Sequence, residues 1–316
     1  MTTTSDLIEL VRAPAALTVL GDTAVGAQAA NGGFGRRGWV LPLASVAIYS
    51  GGMALNDWAD RDVDAVERPE RPIPSGRVSP RRALMVAAGL GAIGLVLAAA
   101  GGGRRGVAVA VPLVASVVAY DVVAKPTAAG PVAMAACRGL DVLLGAGGSP
   151  RALPAALAIA VHTLGVTALS RGEVHGGTGA DAGLALVATG AAAAAVDAVT
   201  GPAPSAAGTL ASGRGPRTST TGASGGRNPQ GAAARIGGAL GSAAYLLAAL
   251  PGQFAALEKP TPGRVRDATR AGIGSVVPLQ AALVARAGGL SVAAGLMAVH
   301  ATIRLRARRG RRGDIT

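Results

Sequence analysis

The sequence predicts an all-α fold, a polytopic bundle of nine to ten transmembrane helices, and three observations support this fold class. Half of the 316 residues are hydrophobic, only 15% are charged, and the mean hydropathy is +0.43, whereas soluble domains carry about 25% charged residues. The hydrophobic residues form long blocks rather than helical stripes or alternating strands. The basic residues concentrate in the connections that flank these blocks.

Ten apolar blocks follow one another along the chain, and most approach the ~20 residues that cross about 30 Å of hydrocarbon as a helix. They cover residues 14–30, 40–55, 83–100, 107–123, 130–147, 152–169, 180–199, 236–257, 271–287 and 290–303. Ala and Gly dominate the blocks, which favours close helix packing because small residues let backbones approach. An aromatic content of 2% leaves no visible Trp/Tyr belt, and this absence counts against the membrane interpretation.

Residues 89–94 (GLGAIG) match the G-x-G-x-x-G dinucleotide fingerprint. No strand pattern precedes them, and no acid follows about 20 residues later to bind a ribose. Small residues at helix contacts explain the motif better.

The cysteine and histidine content excludes some kinds of site. Cys137 is the only cysteine, so neither an internal disulfide nor a Cys-based zinc site is possible. His162, His175 and His300 lie far apart in sequence, which favours packed or hydrogen-bonded roles over metal ligation. The first twelve residues carry acids and no basic cluster ahead of an apolar run, unlike a cleaved signal peptide.

The net charge of +13 is compatible with nucleic acid, acidic lipid or cytoplasmic loops, and the placement of the arginines favours loops. Six follow the second block and six lie in the tail: Arg61, Arg68, Arg71, Arg77, Arg81, Arg82, Arg304, Arg306, Arg308, Arg309, Arg311 and Arg312. Basic residues beside spans mark the cytoplasmic side. We therefore expect an integral protein of the plasma (inner) membrane with its active-site loops in the cytoplasm. Nucleic-acid binding is not expected, because the basic residues are not interleaved with stacking aromatics.

The domain organisation predicted is one transmembrane domain over residues 1–316. Residues 201–235 are dense in Gly, Ala, Ser, Thr, Pro and Arg, so they bury too little surface to offset their ordering entropy and are predicted to be a flexible loop. Residues 304–316 form a basic cytoplasmic tail. A cytoplasmic amino terminus and tail require an even number of spans, which favours ten over nine.

The first cluster of polar residues follows the second block. Asn56, Asp60 and Asp64 are spaced by four residues, so on a helix they drift only about 40° per step and share one face. Carboxylates brought this close repel unless a cation lies between them, and oxygen ligands suit Mg²⁺. Asp57 and Asp62 lie off that face.

A proline-framed loop comes directly afterwards, at residues 67–77. The prolines stiffen it, while Arg68, Arg71 and Arg77 offer forked donors that match phosphate oxygens. Carboxylates for Mg²⁺ beside arginines for phosphate predict a diphosphate site at the membrane surface. The alternative is a solvated loop with internal salt bridges.

The run Asn56-Asp57-x-x-Asp60-x-x-x-Asp64, followed by residues 71–77 (RPIPSGR), resembles the first aspartate-rich motif and following loop of the UbiA superfamily of intramembrane prenyltransferases, which includes 4-hydroxybenzoate polyprenyltransferases. The resemblance extends over most of the chain, from Arg12-x-Pro14 to the last blocks, and excludes the loop at 201–235.

The resemblance implies a helical bundle around a lipid-facing cavity. In such enzymes, Mg²⁺ held by acidic motifs binds an isoprenoid diphosphate, whose ionisation yields an allylic cation that alkylates a small-molecule acceptor within the membrane. By this resemblance the metal ligands are Asn56, Asp60 and Asp64, of which Asp60 and Asp64 are catalytic, and the candidate diphosphate contacts are Arg68, Arg71 and Arg77.

A second cluster ends the fourth block, where Tyr120-Asp121-x-x-x-Lys125 resembles the family's Tyr and Lys before the fifth span. Tyr120 and Lys125 are therefore candidate diphosphate contacts, although Lys125 is equally explained as a lysine that reaches the membrane interface. Arg138 and Asp141 in the fifth block are spaced to pair. Ionisable side chains within a membrane span are functional candidates, and the alternative is a structural ion pair. The same two interpretations apply to Asp22 in the first block.

The family's second aspartate-rich motif is expected after the sixth span, where residues 168–177 read ALSRGEVHGG. Glu173 can stand for one metal-binding carboxylate, but the flanking acids are replaced, so a second Mg²⁺ site is in question. Arg171 is expected to supply positive charge to a phosphate in place of that metal. Arg171 and Glu173 thus complete the predicted catalytic set.

Two functions are compared. The leading one is a Mg²⁺-dependent prenyltransferase. The alternative is a non-catalytic membrane transporter or lipid-binding protein that keeps the fold; we find no clear internal repeat of the kind many transporters show.

Overall fold

A computed structural model describes residues 2–12, 17–201 and 229–313. Throughout these ranges the regular structure is helical, with no strand. The helices are α1 (Thr4–Leu10), α2 (Leu17–Asn31), α3 (Leu41–Ala59), α4 (Arg61–Glu67), α5 (Pro80–Ala119), α6 (Gly130–Gly145), α7 (Leu153–Ser170), α8 (Gly179–Ala198), α9 (Pro229–Glu258), α10 (Pro262–Arg286) and α11 (Leu290–Gly313). A π-helical turn, Tyr120–Ala124, extends α5.

In the described residues, each of the ten apolar blocks lies largely on a helical segment, which confirms the all-α prediction. Of the described helices, α3, α5, α7, α8, α9 and α10, taken with their adjoining turns, are long and apolar enough to cross a bilayer, and residues Leu290–Thr302 form a shorter apolar helix. The protein is therefore an integral membrane protein. The total of nine to ten spans stays a prediction.

Helix α5 contains two of the predicted blocks and folds back on itself at Gly103. This residue has φ 59° and ψ −147°, a conformation that glycine adopts far more readily than other residues. Beyond the reversal, a Cβ placed on Gly106 would lie 2.4 Å from the carbonyl oxygen of Ala98. Residues 80–102 and 104–119 are therefore two adjacent arms, as the separate blocks predicted.

The glycine motif at residues 89–94 lies in the first of these arms and packs against α3. A Cβ on Gly94 would meet Ile48 Cγ1 at 2.4 Å. Helix contact, rather than dinucleotide binding, is its role in this fold.

Helix α10 lies centrally and packs against α2, α7, α9 and α11, with Leu279 and Leu283 fully buried in the largest hydrophobic cluster. Helices α2 and α6 are also in close contact, because a Cβ on Gly26 would lie 1.8 Å from the Val142 carbonyl oxygen and one on Gly145 would lie 2.2 Å from that of Thr23. This close approach brings polar side chains of α2 and α6 together in the interior.

Part of the predicted flexible loop at 201–235 is helical. Helix α9 begins at Pro229, so residues 229–235 are helical; residues 202–228 lie outside the described residues. Proline fits the first helical position, where no intrahelical N–H bond is made. In the predicted basic tail, the backbone is helical through Gly313.

Candidate active site

A cavity of about 520 Å³ lies between α2, α3, the second arm of α5, α6, α7 and α10. Polar residues line its mouth at the carboxyl end of α3, and a second polar group lies deep inside, near Ser45. Ser45 and Asn56 are eleven residues apart on α3, about 16 Å along its axis. The mouth is lined by Arg12, Asn56, Asp60, Arg68, Arg71, Tyr120, Asp121 and Lys125.

The predicted face of three residues continues across the junction of α3 and α4. Asp60 N–H donates to the Asn56 carbonyl at 2.9 Å, and Asp64 N–H donates to the Asp60 carbonyl at 2.8 Å, so the four-residue helical spacing is kept. Asn56 and Asp60 line the cavity. Asp64 does not: it is buried behind the mouth.

Arginines neutralise the two acids behind the mouth. Arg71 Nη1 lies 2.6 Å from Asp64 Oδ2 and 3.2 Å from Asp57 Oδ1. Arg68 lies 3.7 Å from Asp64, and Arg12 lies 2.8 Å from Asp57. The sequence predicted that Asp64 would bind a metal together with Asn56 and Asp60. In the structure its carboxylate is instead paired with Arg68 and Arg71, the arginines that were expected to bind phosphate.

Asp121, and not Asp64, lines the cavity together with Asn56 and Asp60. Asn56 Nδ2 donates to Asp121 Oδ1 at 3.1 Å, and Lys125 is paired with Asp60. The π-helical turn explains this placement: Lys125 N–H bonds to the Tyr120 carbonyl, five residues back, at 2.9 Å. With this wider turn, Tyr120, Asp121 and Lys125 all line the cavity.

Arg77 lies away from the cavity, contrary to the prediction of a diphosphate contact. Its guanidinium contacts Asp6 at 2.8 Å and Glu9 at 2.6 Å, both on α1, and donates to the Glu70 carbonyl at 2.7 Å. Thr3 and Arg77 lower the pKa of Asp6 to about 2, chiefly through hydrogen bonds to Thr3, and the Arg77 hydrogen bond lowers the pKa of Glu9. Arg77 therefore holds α1 against the arginine loop.

Arg171 and Glu173 are also absent from the cavity wall. Arg171 Nη1 donates to the Thr127 carbonyl at 2.7 Å, in the connection between α5 and α6. Glu173 lies in the turn between α7 and α8 and is half-buried. The predicted role of this pair at the diphosphate is not supported by the arrangement, because Ser170 is the last residue of α7 that lines the cavity.

In the interior, Arg138 pairs with Asp22 rather than with Asp141. Arg138 Nε lies 2.8 Å from Asp22 Oδ2, and Gln280 Nε2 donates to Asp22 Oδ1 at 2.7 Å. The glycine contacts between α2 and α6 make this pairing possible. His162 Nδ1 lies 2.8 Å from Tyr245 Oη, in keeping with a hydrogen-bonded role.

The donors at the mouth fit Mg²⁺. Asn56, Asp60 and Asp121 offer hard oxygen atoms on one wall, and Mg²⁺ is commonly held by one or two carboxylates together with water and substrate phosphates. In the described part of the chain, no three His, Cys, Asp or Glu residues already converge as a ligand cage. The donor set therefore suits a metal bound together with a phosphate ligand rather than alone.

Sequence reasoning missed Asp121 and Arg12 as residues of the site. Asp121 stands within the Tyr-Asp-x-x-x-Lys run, four residues before Lys125, and that spacing was the available signal. Arg12 is 45 residues from Asp57, so only the fold brings them together.

A model of one protein family matches nearly half of the chain. Residues 19–172 match the model of the UbiA prenyltransferase family. Among curated proteins, a digeranylgeranylglyceryl phosphate synthase from Methanopyrus kandleri is 52% identical over 59 residues, 19% of this chain and 22% of the relative. A 4-hydroxybenzoate octaprenyltransferase from Thiobacillus denitrificans is 41% identical over 61 residues, 19% of this chain and 21% of the relative. The matched segments thus span only about a fifth of these relatives.

Solved structures agree with the fold. A UbiA homolog from Aeropyrum pernix superposes with a TM-score of 0.62 at 18% identity, covering 86% of this chain and 97% of the other. A UbiA homolog from Archaeoglobus fulgidus, bound to GPP and Mg²⁺, superposes with a TM-score of 0.50 at 20% identity, covering 61% and 77%. At such identities the likeness concerns the helical architecture.

Proposed function

We propose that this chain, whose residues 19–172 match the model of the UbiA prenyltransferase family, transfers a prenyl group from an isoprenoid diphosphate to an acceptor within the membrane, with Mg²⁺. The observation that carries the proposal is the mouth of the cavity. There Asn56, Asp60 and Asp121 share a wall with Arg68 and Lys125, at the entrance of an interior that can take an apolar chain.

Formal charges explain why a divalent cation is needed. Four bases, Arg12, Arg68, Arg71 and Lys125, stand beside four acids, Asp57, Asp60, Asp64 and Asp121. These charges cancel, so a diphosphate with several negative charges gains little net attraction from the mouth alone. A Mg²⁺ ion bound with it would supply the missing positive charge and stabilise the charge that develops on the departing diphosphate.

The chain's own residues bind and orient the diphosphate. Arg68 and Lys125 line the mouth and are partly exposed, so they can donate to phosphate oxygens. An incoming diphosphate offers Lys125 an alternative to Asp60, which frees the Asp60 carboxylate to serve as an oxygen ligand. Arg71 is held between Asp57 and Asp64, and this pairing fixes its position.

The middle of the cavity would protect a reactive allylic cation. Its wall includes Ile48, Leu113, Val117, Val166 and Ile273. Such a surface accommodates a prenyl chain and keeps water away from the carbon that loses diphosphate, which favours transfer over hydrolysis.

A non-catalytic transporter or lipid-binding protein is the second candidate, and one observation favours it. The second aspartate-rich motif lacks its flanking acids, and neither Arg171 nor Glu173 lines the cavity. The two candidates differ in whether diphosphate is released.

Diphosphate release tests the proposal. Purified protein in detergent is given dimethylallyl, geranyl, farnesyl or geranylgeranyl diphosphate, with Mg²⁺ or with EDTA. We expect Mg²⁺-dependent release with at least one chain length, and a loss of about 100-fold or more in Asp60→Ala, as for removal of an electrostatic catalytic group. Asp62→Ala is the matched control, because Asp62 is an exposed acid two residues away, and should keep its activity.

Release that persists in EDTA, or that is equal in the two variants, contradicts a metal role for Asp60. Absence of release with every diphosphate supports the second candidate.

A further inference from the structure

The connection between α5 and α6 begins at Lys125, so its backbone determines where the lysine ammonium group lies in the mouth. Thr127 is the centre of this connection. Its hydroxyl donates to the Ala124 carbonyl at 2.8 Å and accepts from the Ala129 N–H at 3.1 Å. Its carbonyl accepts from the Gly130 N–H at 3.1 Å. The connection is therefore a compact turn organised by one threonine.

Among the described residues, two side-chain contacts link this turn to other elements. On the cavity side, Lys125 is paired with Asp60. On the other side, Arg171 Nη1 donates to the Thr127 carbonyl at 2.7 Å. Arg171 comes directly after α7, whose last residue, Ser170, lines the cavity as Lys125 does. Arg171 thus links the end of α7 to the turn that carries Lys125.

Diphosphate binding affects these two contacts differently. In the proposed function Lys125 leaves Asp60 for phosphate oxygens, so the contact on the cavity side is exchanged when the substrate binds. The bond from Arg171 to Thr127 can persist in both states, because neither residue lines the cavity. It keeps the turn ordered while Lys125 changes partner, which lowers the conformational entropy lost when the ammonium group is placed on phosphate.

We propose that Arg171 is a positioning residue for the diphosphate, because it fixes the α5–α6 turn from which Lys125 reaches the phosphate oxygens. The proposal rests on the proposed function, since it concerns the same site. Arg171 does not contact phosphate and acts through one backbone carbonyl. A lysine in its place can still offer a charged donor to that carbonyl, whereas an alanine offers none.

Hydrogen–deuterium exchange tests the contact without any substrate. The N–H groups of Thr127, Ala129 and Gly130 are bonded within the turn, so their exchange reports on its opening. We expect Arg171→Ala to speed exchange in a peptide that covers residues 121–130 by about fivefold, and Arg171→Lys to restore part of the protection. Unchanged exchange in Arg171→Ala overturns the proposal.

Arg264→Ala is the matched control. Arg264 Nη1 donates to the Ala255 carbonyl at 3.0 Å, so it too is an arginine that bonds a backbone carbonyl beside a connection. That connection, between α9 and α10, lies at the same end of the bundle, because the Pro260 carbonyl accepts from the Gly177 N–H of the α7–α8 turn at 3.0 Å. Loss of Arg264 should leave the exchange of residues 121–130 and the binding of diphosphate unchanged.

An unreactive ligand tests the effect on binding without turnover. The probes are the S-thiolodiphosphates of geraniol and geranylgeraniol with Mg²⁺, whose dissociation constants are measured by calorimetry in detergent. We expect Arg171→Ala to weaken binding about fivefold and Arg171→Lys to recover part of the affinity. In a Lys125→Ala background, Arg171→Ala should have no further effect, because Arg171 acts through Lys125.

Three results overturn the positioning role. The first is equal affinity of the wild type and Arg171→Ala. The second is an equal loss on Arg171→Ala with and without Lys125, which would mean that Arg171 binds phosphate directly or supports the whole fold. The third is a wild type that binds neither analogue.

The two proposals fail separately. A loss of analogue affinity that depends on Lys125, without release of diphosphate from any substrate, would leave the positioning role and remove the transferase. Mg²⁺-dependent release that Arg171→Ala does not slow at substrate concentrations below KM would do the reverse.

Discussion

The acids around the mouth of the cavity differ in what neutralises them, and this difference defines their roles. Asp60 and Asp121 lie on the wall with Lys125 and Asn56 as partners. Asp64 is buried and held by arginines. The four-residue spacing was enough to place Asn56 and Asp60 on one face. It did not place Asp121, which lies 65 residues from Asn56 and whose one signal in the sequence was its spacing of four residues to Lys125.

The hydrogen bonds of Asp6 with Thr3, together with its pairing with Arg77, give a pH-dependent contribution to stability. The pKa of Asp6 is lowered from 3.8 to about 2, so its ionised form stabilises the fold. That stability is fully present above about pH 4 and is lost as the pH falls toward about pH 2. We expect Asp6→Asn to unfold at a lower temperature than the wild type at about pH 5. This difference in unfolding temperature should disappear as the pH approaches about 2.

Tryptophan fluorescence during heating in detergent measures the two unfolding temperatures. The exposed Asp62→Asn variant serves as the control for loss of a carboxylate and should show no such pH trend. A difference for Asp6→Asn that stays constant with pH would mean that ionisation of Asp6 does not stabilise the fold.

At the scale of helices, hydropathy was sufficient to predict a helix where the apolar block is long and is bounded by glycine, proline or charged residues. The reversal inside α5 follows from Gly101, Gly102 and Gly103 between two apolar blocks. The start of α9 was missed because residues 229–235 lack large apolar side chains, and their helix is stabilised by packing that the sequence pattern does not reveal, such as Gly238 against Arg286. Propensity is a weak guide when tertiary contacts decide.

Gly103 is therefore the residue on which the α5 hairpin depends. A Cβ there meets no atom within 4 Å, so any effect of Gly103→Ala is due to its φ of 59° and ψ of −147°. We expect a loss of about 1–3 kcal/mol in the free energy of unfolding. Gly183→Ala is the matched control: Gly183 lies within α8, and its Cβ also meets open space. It should gain about 0.5–1 kcal/mol.

Unfolding by SDS, followed by circular dichroism, compares the two variants. If Gly103→Ala were as stable as Gly183→Ala, the reversal would tolerate an L-residue and the backbone argument would be wrong.

At the scale of the whole molecule, the order of the helices places the carboxyl end of α11 on the same side as the mouth. The α10–α11 turn is at the far end, where a Cβ on Gly289 would contact Gln28 of α2. From there α11 packs back along α10, and its 24 residues extend about 36 Å. Its carboxyl end, where six arginines lie in sequence, therefore returns to the side of the arginine loop. That the two basic segments share the cytoplasmic side stays a prediction from charge, and charge alone does not fix the number of spans.

The same charges predict an orientation in the membrane, and this orientation can be measured. Because basic residues accumulate on the cytoplasmic side, Glu70 beside the mouth should be cytoplasmic and Gly35, between α2 and α3, should lie outside.

In a Cys137→Ser background, Glu70→Cys and Gly35→Cys are labelled with a membrane-impermeant maleimide in intact cells. A Cβ on Gly35 meets no atom within 4 Å, so the cysteine is accommodated. We expect Gly35→Cys to be labelled in intact cells and Glu70→Cys only after permeabilisation. The opposite pattern would place the diphosphate site outside the cytoplasm, where a cytoplasmic isoprenoid diphosphate does not reach it.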